Sequence, residues 1–178
     1  VALVGSYEYA TIDDILKRAK DRNQPPFIVI LDEIEDPHNL GAIIRTAECA
    51  GVHGVVITKR RSSLVNQTVY KSSAGAVEHM LIAKVNNLTN TIRELKDKGL
   101  WIYGADMDGE NFHFNTSLEG AIALIIGNEG KGLSRLVKEN CDVIVKIPML
   151  GQISSLNASN AAAILIYEVV RQKYVQKK

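Results

Sequence analysis

At 178 residues, with 46% hydrophobic and 23% charged side chains, the chain has the size and balance of one α/β domain that buries a core without disulfides or metals. Its 21 basic and 20 acidic residues leave a formal charge of +1, so bulk charge gives no sign of a polyanionic partner, and any nucleic acid must be gripped by local basic groups or a further segment. No apolar run approaches the ~20 residues of a membrane span. The opening VALVGSYEYA lacks the basic flank and cleavage pattern of a secretory signal. It starts abruptly on an apolar, strand-like run with no initiator Met, which points to a natural N-terminus further upstream. Cys49 and Cys141 lie in separate helix-like stretches, the pattern of reduced thiols, and a cytoplasmic location is expected. His38, His53, His79 and His113 show no ligand spacing with one another or with cysteine, so no metal is expected.

Thr11 precedes an amphipathic stretch, 12–20, with Ile15, Leu16 and Ala19 on one face, and a capped helix is predicted there. Pro25 and Pro26 break the chain after it. Residues 27–31, FIVIL, form a continuous apolar run between turn residues, the mark of a strand covered on both faces. A polar loop with Pro37 leads to Asn39, where a helix NLGAIIRTAECAG is predicted, Leu40, Ile43, Ile44 and Ala47 facing inward and Gly51 stopping it. Residues 55–57 make the second strand, followed by Lys59, Arg60 and Arg61. The stretch 64–80 reads as one or two short helices broken at Ser72, Ser73 and Gly75. A brief strand at 81–83 follows, then a helix capped by Asn87 or Thr89 that ends at Lys98 and Gly99.

Residues 101–105 are strand-like, 106–115 a turn-rich loop, and 121–126 a fully apolar strand. That strand runs into Gly127-Asn128-Glu129-Gly130-Lys131-Gly132 and a helix through Asn140. The strand at 143–147 stops at Pro148, which has no N–H to donate. Asn157 or Ser159 caps the last helix, whose first turns are Ala, Ser and Asn and allow close approach of another backbone or a flat ligand. Strand and helix alternate throughout, which implies an α/β fold: a mainly parallel sheet with helices on both faces. Ligands in such sheets lie beyond the C-terminal ends of the strands.

Three loops would meet at that edge: 36–45, 127–132 and 147–157. The glycine-rich loop fails the Walker spacing, with two residues rather than four between its first Gly and the Gly-Lys pair. Its glycines permit tight turns against a ligand. Glu129 would repel phosphate, so a neutral or cationic ligand fits better. Arg45 lies near the covered face of its predicted helix, where a guanidinium either has a fixed partner or snorkels outward. Ser154, Ser155 and Asn157 read first as caps, His38 as a loop histidine, and Cys141 as packing. Lys59, Arg60, Arg61 and Lys71 could grip RNA phosphates, although a solvated charge run is the commoner explanation.

Taken together, DPHNLGAIIRTAECAG, ALIIGNEGKGLS and VKIPMLGQISSLNASNAAAILIYEV resemble motifs 1, 2 and 3 of the SpoU branch of the SPOUT RNA methyltransferases. They stand in the family's order and at its spacing, and the resemblance runs from about Pro26 to the C-terminus. It implies a catalytic domain over 26–178, with 1–25 a linker and short helix after a small RNA-binding domain. It also implies a C-terminal deep trefoil knot, which general topology rules would have argued against. A homodimer follows, with one S-adenosylmethionine (SAM) in each knot and the active site completed across the interface. Gly127, Ile147 and Leu156 match the family's SAM-contacting backbone, with Ala105, Gly130 and Met149 as neighbours. Arg45 matches the catalytic arginine, and Asn39, Glu129, Ser155 and Asn157 the polar residues around it. The likeness is greatest to members that methylate a guanosine 2′-hydroxyl in large-subunit ribosomal RNA.

The implied chemistry is in-line displacement at a sulfonium carbon, which needs alignment and help in removing a hydroxyl proton. Arginine is always protonated at neutral pH, so Arg45 is expected to stabilise the developing alkoxide rather than act as a base. A transfer-RNA guanosine target, a resistance-type adenosine target, a catalytically inactive RNA-binding module and an unrelated phosphotransferase are the competing readings. The failed Walker spacing and the lack of a Mg²⁺-binding pair count against the last.

Overall fold

Phe27–Leu31 is apolar at every position because both of its faces are covered. Phe27, Val29 and Leu31 point into one core and Ile28 and Ile30 into another, all fully buried. Alternation of side chains along a strand produces this division. The computed structural model describes residues 6–176; the apolar opening run, 1–5, lies outside the described residues, as do 177–178. Among these residues seven strands form one sheet: β1 (Phe27–Leu31), β2 (Gly54–Thr58), β3 (Ile82–Val85), β4 (Trp101–Ala105), β5 (Asn111–Phe112), β6 (Ile122–Ile126) and β7 (Val143–Lys146). Their order is β3-β2-β1-β6-β4-β7-β5, and every pairing is parallel.

Six α-helices among the described residues cover the sheet: α1 (Ile12–Asp21), α2 (Pro37–Cys49), α3 (Gln67–Ser72), α4 (Leu88–Asp97), α5 (Arg135–Asn140) and α6 (Ala158–Gln176). Leu40, Ile43, Ile44 and Ala47 of α2 pack with Ala162, Leu165, Ile166 and Val169 of α6 over one face. Ile15 of α1, Ile92 and Leu95 of α4, and Val137 of α5 cover the other. Each buried Leu, Ile or Val among them contributes roughly 1.5–3 kcal/mol. The expected α/β architecture with helices on both faces is what the chain adopts. Tyr7 and Tyr9 also dock on the first core, Tyr7 donating from its hydroxyl to Met80 O at 3.1 Å.

Local chemistry explains the helix boundaries. Thr11 caps α1 in a reciprocal box with Asp14, and Asn87 caps α4 through Asn90 N at 3.0 Å. The helix predicted from Asn39 begins two residues earlier. Asp36 is the cap, accepting from His38 N at 2.8 Å, and Pro37 occupies the first turn, where its missing N–H costs nothing. The loop predicted over 106–115 contains a short strand, β5, which pairs only with the distant β7. From β1 the chain winds one way to β2 and β3, and β6 lies on the other side of β1. The order therefore reverses beside β1, where open parallel sheets bind ligands.

Candidate active site

Two carboxylates at strand ends hold the glycine-rich loop after β6. Asp32, following β1, accepts from Ser134 N at 2.8 Å, and Asp106, following β4, accepts from Leu133 N at 3.1 Å. Asp32 is 5% exposed, and burial raises its pKa against the opposing Ser134 bond. Burial opposes ionisation of Asp106 too, but bonds from Asp108 N, Leu133 N and Lys138 outweigh it and lower its pKa. Between these anchors the loop doubles back tightly. Gly132 N donates to Asn128 O at 2.8 Å, and a Cβ on Gly127 would fall 2.5 Å from Gly132 C and O. Asn128 ties the loop to its neighbour, its amide donating to Glu33 O at 3.1 Å.

This bracing carries Glu129 to the start of α6. Its Oε1 accepts from Asn39 Nδ2 at 3.0 Å, Asn157 Nδ2 at 2.9 Å and Ala158 N at 3.0 Å. Asn157 Nδ2 also reaches Asn39 Oδ1 at 3.0 Å, so the three side chains close a triangle. Asn157 Oδ1 meanwhile caps α6, accepting from Ser159 N at 2.9 Å and Asn160 N at 3.3 Å. The carboxylate thus satisfies one of the orphan N–H groups of a long helix and meets the positive end of its dipole. Asn39 in the first turn of α2, Glu129 in the glycine-rich loop and Asn157 ahead of α6, 28 to 118 positions apart, form one hydrogen-bonded unit.

Beside the triangle a cleft opens among the ends of β4, β6 and β7. Ala105, Gly127, Ile147, Met149 and Leu156 all line it, and so does Ser155. Gly130 does not; its N–H turns to Asn128 Oδ1 at 3.1 Å and it is exposed. The lining combines apolar walls from Ile126, Val145 and Ile147 with the carboxylates of Asp106 and Glu129. Small residues at Gly132, Ala158 and Ala161 keep the floor open. Apolar walls suit a purine and a thioether chain, and the carboxylates suit cationic centres, so the donor set fits SAM. The sequence reading missed Asp32 and Asp106, whose only signal was a polar residue directly after an apolar strand, and Asn128, one glycine further on.

Arg45 stands apart from this cluster. It is exposed on α2, six residues past Asn39, a helical advance of about 9 Å. It makes no hydrogen bond or ion pair among the described residues, so of the two expectations, a fixed partner or a guanidinium turned outward, the second is the one met here. Two other groups prove structural. His53 is buried, and its Nδ1 accepts from Phe27 N at 2.9 Å while Nε2 pairs with Gln24 at 2.8 Å. Burial, helped by the charges of Lys173, Arg22 and Arg18, pushes its pKa down to about 4. The Cys141 thiol donates to Val137 O at 3.3 Å, and burial pushes its pKa up to about 12, far from a reactive thiolate.

A parallel sheet with an apolar cleft at the C-terminal ends of β4, β6 and β7, two carboxylates in its wall and a polar triangle beside it has the arrangement of a cofactor-binding α/β domain. The model of the SpoU rRNA Methylase family matches residues 26–167. YacO of Bacillus subtilis (strain 168), named to the TrmH family of tRNA/rRNA methyltransferases, is 51% identical over 173 residues, covering 97% of this chain and 70% of that protein. The SpoU methyltransferase AviRb from Streptomyces viridochromogenes, solved with AdoMet, superposes with TM-score 0.77 at 32% identity, over 85% of this chain and 59% of that one. An RNA 2′-O ribose methyltransferase superposes with TM-score 0.76 at 27% identity, over 97% of this chain and 62% of that one. The chain belongs to the SpoU rRNA methylase family. It carries the family's RNA methyltransferase domain and its cofactor is SAM, for which the cleft supplies the fitting residues.

Proposed function

We propose that this chain methylates a ribose 2′-hydroxyl in RNA, with a guanosine of large-subunit ribosomal RNA as the target. The observation that carries the reading is the Asn39–Glu129–Asn157 triangle, which abuts the cleft through Glu129. When bound, SAM supplies an electrophilic methyl group. The chain supplies alignment and electrostatics: the cleft orients the cofactor, the triangle offers amide donors and a carboxylate to the incoming ribose, and Ser155 lines the approach. Methyl transfer leaves a neutral thioether, and the 2′-hydroxyl proton passes to solvent or a neighbouring phosphate.

Arg45 completes the site in a homodimer, acting on the ribose held by the partner and stabilising the developing alkoxide. Its exposure without a partner supports this, as do the large apolar groups left in solvent beside the cleft, Leu150 at 97% and Ile153 at 78% exposure. A trefoil knot, with the C-terminal segment threaded through a loop, suits the way Asn157 bonds back to Asn39 at the start of α2 and to Glu129 in the loop after β6. Residues 6–25 pack on the sheet of the catalytic domain through Tyr7, Tyr9, Ile12 and Ile15, an RNA-binding domain ahead of them aids target choice, and the chain works in the cytoplasm. Transfer RNA is the alternative substrate, supported by the name of the Bacillus subtilis relative, which spans both RNAs.

Calorimetric titration with S-adenosylhomocysteine, beside an Asn157→Ala control, tests the cofactor assignment. Binding near one per chain, weakened in the control, is expected. A folded protein that binds neither SAM nor its product would leave an RNA-binding module without catalysis.

A further inference from the structure

The turn after β2 has no part in the site described above. It carries three consecutive cations, Lys59, Arg60 and Arg61, all exposed. The side chains of Lys59 and Arg60 make no hydrogen bond or ion pair among the described residues. Arg61 Nη1 lies 3.5 Å from Glu33 Oε1, a loose contact with the Arg61 side chain 76% exposed, which contributes little to stability. The turn is nevertheless well placed. Lys59 N donates to Val85 O at 3.0 Å and Ser63 N to Ile34 O at 2.8 Å, pinning it to the active edge of the sheet. Glu33 and Arg61 both adopt left-handed backbone, with φ of 58° and 54°, a costly conformation for such residues that clusters at functional sites.

Across Glu33 lies a cavity of about 300 Å³ that reaches the triangle at Asn39, Glu129 and Asn157. Its rim holds Glu33, Glu35, Asp36 and Glu129. Four carboxylates exclude a phosphate from that cavity, while Lys59 and Arg60, both unengaged, and Arg61, held only loosely by Glu33, stand on the turn beside Glu33. A nucleotide entering the site has one favourable orientation, its neutral ribose inward and its phosphate on the cationic turn. We propose that Lys59, Arg60 and Arg61 form the seat for the RNA phosphates flanking the target nucleotide, Arg61 exchanging Glu33 for phosphate as RNA binds. This rests on the ribose-methylation reading and adds how the substrate is oriented.

Salt dependence tests it, because each phosphate contact on a single strand changes the slope of log affinity against log salt by about 0.7. Fluorescein-labelled single-stranded RNA is titrated with the whole chain across a salt series, for wild type, R60A/R61A and R22A. Arg22 lies ahead of β1, at the opposite edge of the sheet. The double variant is expected to lose about 1.4 from the slope and at least tenfold in affinity, while S-adenosylhomocysteine binding and the slope of R22A stay at wild-type values. E33Q, which removes the internal competitor of Arg61, is expected to bind RNA more tightly. An unchanged slope in R60A/R61A, or weaker binding by E33Q, overturns the seat while leaving methylation by the wild type intact. A wild type that neither binds nor methylates RNA overturns the functional reading and the seat together.

Discussion

Glu129→Gln separates charge from shape at the centre of the site. Glutamine keeps the volume and one oxygen acceptor for Asn39, Asn157 and Ala158 N, all of which converge on a single oxygen, Oε1. The fold should therefore survive. The loss at the helix start is about 0.3–1 kcal/mol, the usual worth of an anion at an exposed N-terminus. The larger effect should fall on cofactor charge. At an effective dielectric of 20 two unit charges ~6 Å apart interact by about 3 kcal/mol, and the exposure of Glu129 reduces this to about 1 kcal/mol, or roughly fivefold. SAM carries a sulfonium charge that its product lacks. Glu129→Gln should weaken SAM about fivefold while leaving S-adenosylhomocysteine nearly unchanged, measured by calorimetry on both ligands. Equal weakening of the two, or none, would refute the reading that Glu129, one of the two carboxylates in the cleft wall, favours a cationic ligand.

Gly127→Ala drives a Cβ to 2.5 Å from the Gly132 backbone; a stability loss of about 1–3 kcal/mol by urea titration is expected, with S-adenosylhomocysteine affinity reduced at least tenfold. Arg45→Lys keeps the charge but not the planar fork, so kcat at saturating RNA should fall tenfold or more; near-normal kcat with only a raised KM would reduce the residue to phosphate orientation. His53 supplies a pH test. Between its ordinary value of 6.5 and about 4 in the fold, the unfolded chain binds a proton that the folded one excludes. Stability should accordingly drop as pH falls through that window, by at most about 3 kcal/mol. His53→Leu should flatten the dependence of the urea midpoint on pH, and an unaltered slope would contradict the structural role.

What was legible in the sequence was local. Thr11, and Asn87 or Thr89, announce their helices because a cap needs only the next three residues, and FIVIL announces a strand covered on both faces. The three motif loops could be placed at one edge from strand–helix alternation alone. Features that depend on distant partners were not legible. Asp32 acts through an N–H 102 residues away and Asp106 through one 27 away, so neither differs in sequence from an ordinary loop carboxylate. Asn111-Phe112 becomes a strand only because β7 lies beside it. His53 looks like any lone histidine until Phe27 N, 26 residues earlier, is seen to bond its ring. Asp36 was passed over as a cap because Pro37 reads as a loop residue, although proline suits a first helical turn. Arg45 neighbours apolar residues in sequence, yet the 100° step of the helix turns it to the exposed side.

Alkaline hydrolysis of RNA requires a free 2′-hydroxyl, which makes the linkage itself the most direct test of the account. Ribosomal and transfer RNA are incubated with the chain and methyl-tritiated SAM, then hydrolysed in alkali and separated. Ribose methylation predicts label in alkali-stable dinucleotides, abolished in Asn157→Ala. Label confined to mononucleotides would mean a base is methylated, and the account of the site would be wrong.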